Sequence, residues 1–116
     1  MYDENNIFAK IIRKEIPCDL VYEDDKVLFF NDINPQAKIH VLGIPKIPVI
    51  NLRDFISNSD KDTIKYFFDK VSEIVNSLGL DKSGYRLITN DGKNANQEVA
   101  HFHIHILGGE NLGGLR

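Results

Sequence analysis

Tryptophan is absent from this chain, and cysteine and methionine occur once each. With Cys18 alone, neither an intramolecular disulfide nor a cysteine-rich zinc knuckle can form. No apolar run approaches the ~20 residues needed to cross a bilayer. The opening Met1-Tyr2-Asp3-Glu4-Asn5-Asn6 is acidic and polar, the wrong pattern for a secretory or organelle-targeting signal. A reducing cytoplasmic location is therefore expected, with no membrane partner. Long basic runs are missing too, and 14 Lys and Arg against 17 Asp and Glu leave a net charge of −3. That balance argues against a nucleic-acid partner. A phosphate-bearing ligand would have to be caught locally. Repeats, linkers and low-complexity segments are also lacking. What remains is 116 residues, 42% apolar and 27% charged, an ordinary single-domain composition. Such a chain can bury ~65% of its unfolded surface.

Histidine is scarce but concentrated. Of the four in the chain, three fall at alternate positions in His101-Phe102-His103-Ile104-His105-Ile106-Leu107. Side chains on a strand alternate between faces. A strand here puts the three imidazoles on one face, ~6.7 Å apart, and Phe102, Ile104 and Ile106 on the other. A helix would scatter both sets. Imidazole is the side chain poised to titrate near neutral pH, so the row points to nucleophilic and acid–base chemistry, or to a metal.

The remaining pattern supplies a scaffold. Ile7, Phe8, Ile11 and Ile12 make the stripe of a short helix that Pro17 stops. Val21-Tyr22-Glu23 and Lys26 to Phe30 read as strands joined at Asp24-Asp25. Asn31 to Pro35 is a loop, in which Asp32 suits either a turn or the hydroxyls of a ligand. Lys38 to Ile44 is a third strand, carrying His40 as a structural or supporting histidine. Ile64, Phe67, Phe68, Val71, Ile74, Val75 and Leu78 mark a long helix from Asp60 to Leu78. Ser59 with Asp62 resembles its capping box, and Gly79 its stop. Tyr85 to Thr89 is a fourth strand. A polar run from Asn90 through Asn96, Gln97 and Glu98 then feeds the histidine strand, and Gly108-Gly109 ends it. Strands in sequence joined by short turns predict an antiparallel sheet and an α+β fold, with both helices on one face. The histidine row would look out of the other face or a sheet end.

The segment from His101 to Leu107 matches the His-φ-His-φ-His-φ-φ signature of the histidine triad proteins, φ being apolar. Ile7 to Pro17 resembles the opening of their nucleotide-binding (Hint) branch. Asn31 to Ala37, followed by His40 and Ile44-Pro45-Lys46, resembles it as well, so the likeness spans nearly all of the chain. It implies a single domain over 1–116 with a five-stranded antiparallel sheet. It also implies a homodimer whose two sheets join into one of ten strands. Such proteins bind purine nucleoside monophosphates of the AMP and GMP class, use no cofactor, and in this branch cleave the P–N bond of nucleoside phosphoramidates. By position, Asp32 would hold the ribose hydroxyls, and Ile7, Phe8, Phe30 and Ile33 would wall the base. Asn90, Asn96, Gln97 and Glu98 would face the phosphate, and His103 would be the nucleophile. The family commonly has Gly where Asn96 stands, and some members have Ser at Glu98. The Trp-Pro-Pro tail of the eukaryotic proteins is absent. So are the N-terminal cysteines of many bacterial ones, and no structural zinc is implied.

The residues themselves are consistent with that chemistry. A neutral imidazole is a competent nucleophile if one ring nitrogen is protonated and held while the other is free. His103 has neighbours on both sides to arrange this. His105 is the candidate for phosphate contact and for protonating the leaving amine, with His101 and His40 orienting the others. Two imidazolium ions ~7 Å apart repel by roughly 2 kcal/mol at an effective dielectric near 20, so the row should titrate as a coupled set. Activity is expected to fall on the acid side. Two rival readings stay open. One is a metal hydrolase liganded by His101, His103 and His40 or Asp32. The other is a nucleotide- or partner-binding module with little turnover.

Overall fold

The computed structural model describes residues 1–116. Five strands form where apolar residues alternate or run continuously: β1 (Asp19–Glu23), β2 (Val27–Asn31), β3 (Ile39–Pro45), β4 (Tyr85–Ile88) and β5 (Ile104–Gly108). They make one antiparallel sheet in the order β1-β2-β3-β5-β4. β2 is buried on both faces, as its unbroken Val-Leu-Phe-Phe run requires.

Helices lie on both faces of the sheet, which corrects the expectation that they share one. α2 (Leu52–Ser57) and α3 (Lys61–Ser77) cover one side. There Phe55, Phe67, Val71, Ile74 and Val75 pack on Val27, Phe29, Val41, Ile104 and Ile106. α1 (Ile7–Ile12) sits on the other, its Phe8 and Ile11 against Leu28, Phe30, Leu42 and Ile44. The period of two explains the split, since neighbouring residues of β2 and β3 point to opposite layers. α4 (Leu80–Ser83), a single turn, and α2 were not expected from the sequence. Both are too short to show a stripe.

Gly79 ends α3 in the left-handed region at φ 74°, as the sequence predicts, but two other helix ends differ. α1 stops at Ile12, where Arg13 caps it and Lys14 turns left-handed at φ 66°, well before Pro17. The cap of α3 is Asp60, whose carboxylate accepts from the Thr63 amide at 2.8 Å. Ser59 takes no part, and its hydroxyl oxygen is buried without a partner. Asp24 gathers the β1–β2 turn instead. It accepts from the amides of Lys26 and Val27 and from the hydroxyls of Tyr22 and Tyr66, pinning that turn to α3. No helix is long and apolar enough to cross a membrane.

β5 begins at Ile104, three residues later than the histidine pattern predicts. Gly43 pairs with Ile104, so the ladder would next have to use Pro45 opposite Phe102. Proline offers no N–H. The Pro45 carbonyl is already taken by the His101 side chain at 2.8 Å. The Phe102 amide bonds the Val49 carbonyl instead. The segment still alternates: Phe102, Ile104 and Ile106 enter the large core as expected.

Candidate active site

Register brings the imidazoles together. Leu42 pairs with His105, so His105 and His40, two residues from Leu42, share the α1 side of the sheet. Their ring centroids are 5.2 Å apart, and His103 stands 5.0 Å from His105. The rings lean together more closely than the backbone spacing alone allows. Phe8 of α1 presents its ring edge-on to His103 at 4.9 Å and to Phe30 at 5.6 Å.

Each imidazole has partners that fix its tautomer. The Gln36 amide donates to His40 Nδ1 at 3.0 Å, so the proton of His40 is on Nε2. His40 Nε2–H then donates to His105 Nδ1 at 2.9 Å. That leaves the proton of His105 on Nε2, the only ring nitrogen of His105 without a protein partner. His103 Nδ1–H donates to the His101 carbonyl at 2.7 Å, leaving Nε2 bare. His101 Nε2–H donates to the Pro45 carbonyl, and its Nδ1 accepts from the Tyr2 hydroxyl at 2.5 Å. The four histidines thus present one free lone pair, on His103, and beside it one free N–H, on His105.

Burial keeps all four neutral at pH 7. It pushes His101 down to about 4, against the opposing bond to Pro45. Burial, with the nearby His103 and His40, takes His105 to about 4, and Asp32 opposes. His103 is also lowered by burial, while its bond to the His101 carbonyl and the charge of Asp32 act the other way. His40 is lowered by burial against the same Asp32.

A cavity of about 1060 Å³ opens over these groups. His40, His103 and His105 line it with Asn90, Asn96, Gln97 and Glu98 from the polar loop and with Ile7, Phe8, Phe30, Asp32 and Ile33. Every residue expected to contact a nucleotide therefore borders one space. Phe8 and Phe30 are buried, whereas Ile7 is half exposed and Ile33 fully exposed at the rim. Ile11, Ile16, Cys18 and Leu42 add apolar wall that the sequence reading did not assign to the site. His101 lies beneath the cavity, fully buried, and does not border it.

Some side chains are already committed. Asp32 Oδ1 accepts from the Asn34 amide at 2.8 Å, and Oδ2 lies 3.4 Å from His40 Nε2, so it serves both the turn and the imidazole pair. The Gln97 amide donates to the carbonyls of Ile50 and Val99 and accepts from Gly92, shaping the loop. Asn96 is left-handed at φ 54°, ψ 45°, a conformation Gly adopts freely and Asn tolerates. Ligand atoms suited to a cation converge at Asp32, His40 and His105, within 4.8 Å of one another. Asp32 and His40 belong to the sequence-based metal reading, but His105 stands where that reading had His101 and His103. His101 has both nitrogens engaged. Tyr2 is another site-associated residue that the sequence did not signal; it meets His101 across 99 positions of chain.

A family model described as the HIT domain matches residues 13–112. This chain belongs to the HIT domain family. It is 51% identical over 115 residues to an uncharacterised HIT-like protein of Rickettsia prowazekii, covering 99% of this chain and 96% of that one. It is 44% identical over 110 residues to the purine nucleoside phosphoramidase of Escherichia coli, covering 95% and 92%. Among solved structures, a histidine triad protein from Clostridium difficile superposes with a TM-score of 0.88 at 40% identity, covering all of both chains. The α+β architecture with its five-stranded antiparallel sheet is that of the HIT fold.

Proposed function

We propose that this HIT protein is a hydrolase that cleaves the P–N bond of purine nucleoside 5′-phosphoramidates through a nucleotidyl intermediate on His103. The observation that carries this reading is the pairing of a bare Nε2 on His103 with a free N–H on His105, both bordering one cavity. The similarity to a purine nucleoside phosphoramidase supports the choice of substrate.

In this reading the base lies against Phe8 and Phe30, the ribose hydroxyls reach Asp32, and the phosphate meets His103, His105 and the loop of Asn90, Asn96 and Glu98. The lone pair of His103 Nε2 attacks phosphorus, and the P–N bond breaks. An anionic phosphate beside Asp32 favours a proton on the His40–His105 pair, and that proton passes to the leaving nitrogen. Water then attacks phosphorus, giving its hydroxyl to the phosphate and a proton back to the His40–His105 pair; the P–Nε2 bond breaks, which releases the nucleoside monophosphate and restores the lone pair of His103. No cofactor takes part. Two chains pair into a ten-stranded sheet, for which the half-exposed Tyr85, Leu87 and Ile88 on edge strand β4 offer an apolar surface.

The test is incubation with adenosine 5′-phosphoramidate. AMP release that survives a chelator, with AMP recovered on His103 by mass spectrometry, supports the proposal. Activity abolished by the chelator would favour the metal reading. Tight AMP binding without turnover would leave only a binding module. Light scattering of the purified chain tests the dimer.

A further inference from the structure

A fully buried imidazole needs a hydrogen-bond partner on each nitrogen. For His101, 0% exposed, the Pro45 carbonyl can only accept, so it takes Nε2–H and Nδ1 must find a donor. The Tyr2 hydroxyl is that donor, at 2.5 Å, and its ring stands edge-on to the imidazole at 5.5 Å. No other side chain bonds this nitrogen. The consequence reaches further, because the His101 carbonyl holds the Nδ1–H of His103 at 2.7 Å. His103 keeps its Nε2 lone pair free only while that bond holds its proton on Nδ1. Tyr2 itself does not border the cavity, and His101 is the histidine its hydroxyl bonds.

We propose that Tyr2 is a positioning residue. Its hydroxyl locks the tautomer and seat of His101, and the His101 carbonyl in turn holds the His103 ring at its attacking angle. This rests on His103 being the nucleophile. It adds the N-terminal segment to the machinery that aims it.

Tyr2→Phe in the full chain removes one oxygen and keeps the ring. With Tyr2→Phe, kcat for adenosine 5′-phosphoramidate should drop about tenfold, the loss expected from one unmade buried hydrogen bond, while KM changes by less than about twofold. Long-range ¹H–¹⁵N spectra of histidine-labelled protein supply a readout that a merely structural role would not move. Wild-type His101 should carry its proton on Nε2. In the variant its Nδ1 resonance should shift, and the His103 Nδ1–H signal should shift with it. Unchanged kcat, or an unmoved His103 signal, overturns the proposal. So does a wild-type His101 protonated on Nδ1, a result that stands even if the variant fails to fold. Wild-type protein inert towards the phosphoramidate would sink the functional reading instead, while the spectra still decide the Tyr2 contact.

Discussion

The two faces of the sheet are built for different tasks. On the α3 side, Phe29, Phe55, Phe67 and Phe102 meet in stacked, tilted and edge-to-face pairs at 5.0 to 6.2 Å. On the α1 side the apolar cluster is half that size. Beside it, four imidazoles, the Asp32 carboxylate among them, and a cavity take the remaining space. The large core carries stability without regard to chemistry. The smaller face keeps polar groups dry enough to hold them neutral and leaves room for a substrate. Aromatic edges do part of this work, since Phe8 touches both Phe30 and His103.

Substitutions on each face can break that contrast. The largest expected effect is His103→Ala, which should cut turnover about 1,000-fold or more while AMP still binds, read by steady-state kinetics and calorimetry. Phe67→Ala on the opposite face should cost about 3–5 kcal/mol in urea unfolding. It should leave turnover per folded molecule near the wild-type value.

Between pH 7 and about 4.5, acid should act mainly on the histidine face, since Asp24 and Asp60 on the α3 side are held below the usual carboxylate range and give up their bonds only at lower pH. His101 and His105 titrate near 4 in the folded chain and near 6.5 when unfolded. The unfolded chain therefore takes up their protons first as pH falls. Stability is complete above about 6.5 and is lost progressively towards 4, about 3 kcal/mol for the fully buried His101. Urea midpoints measured from pH 7 to 4 should show this slope, and a flat profile would refute it. The rate should also fall below pH 6.5, as His103 Nε2 becomes protonated.

Phe8→Ala should cost only about 2 kcal/mol, since its void opens into the cavity rather than closing on itself. Turnover should fall all the same, because His103 loses its aromatic neighbour. Smallest of all, Asn96→Gly should stabilise the chain by under about 1 kcal/mol in urea unfolding, since the left-handed backbone is already in place.

Much of this was legible in the residues. The stripe from Ile64 to Leu78 fell on α3, and the alternation of His101 to Ile106 sent Phe102, Ile104 and Ile106 inward. The turn at Asp24, the loop at Asp32 and the polar run near Asn96 were legible too. Contacts between distant parts of the chain were not. Asp60 caps α3 where Ser59 resembled the cap, because the backbone path into the helix selects the residue. β5 starts late because Pro45, 57 positions before Phe102, cannot donate to it.

Local periodicity and residue chemistry determined which segments are strands and helices, which faces are apolar, and that imidazoles carry the function. These depend on side chains a few positions apart, and spacing alone fixes their faces. Only the tertiary structure decided which nitrogen of each histidine carries the proton, which imidazole is sealed beneath the cavity, and that Tyr2 reaches it. A tautomer is set by the atom on the far side of a hydrogen bond, and here those atoms come from Tyr2, Gln36 and Pro45, elements that only folding brings to the histidines.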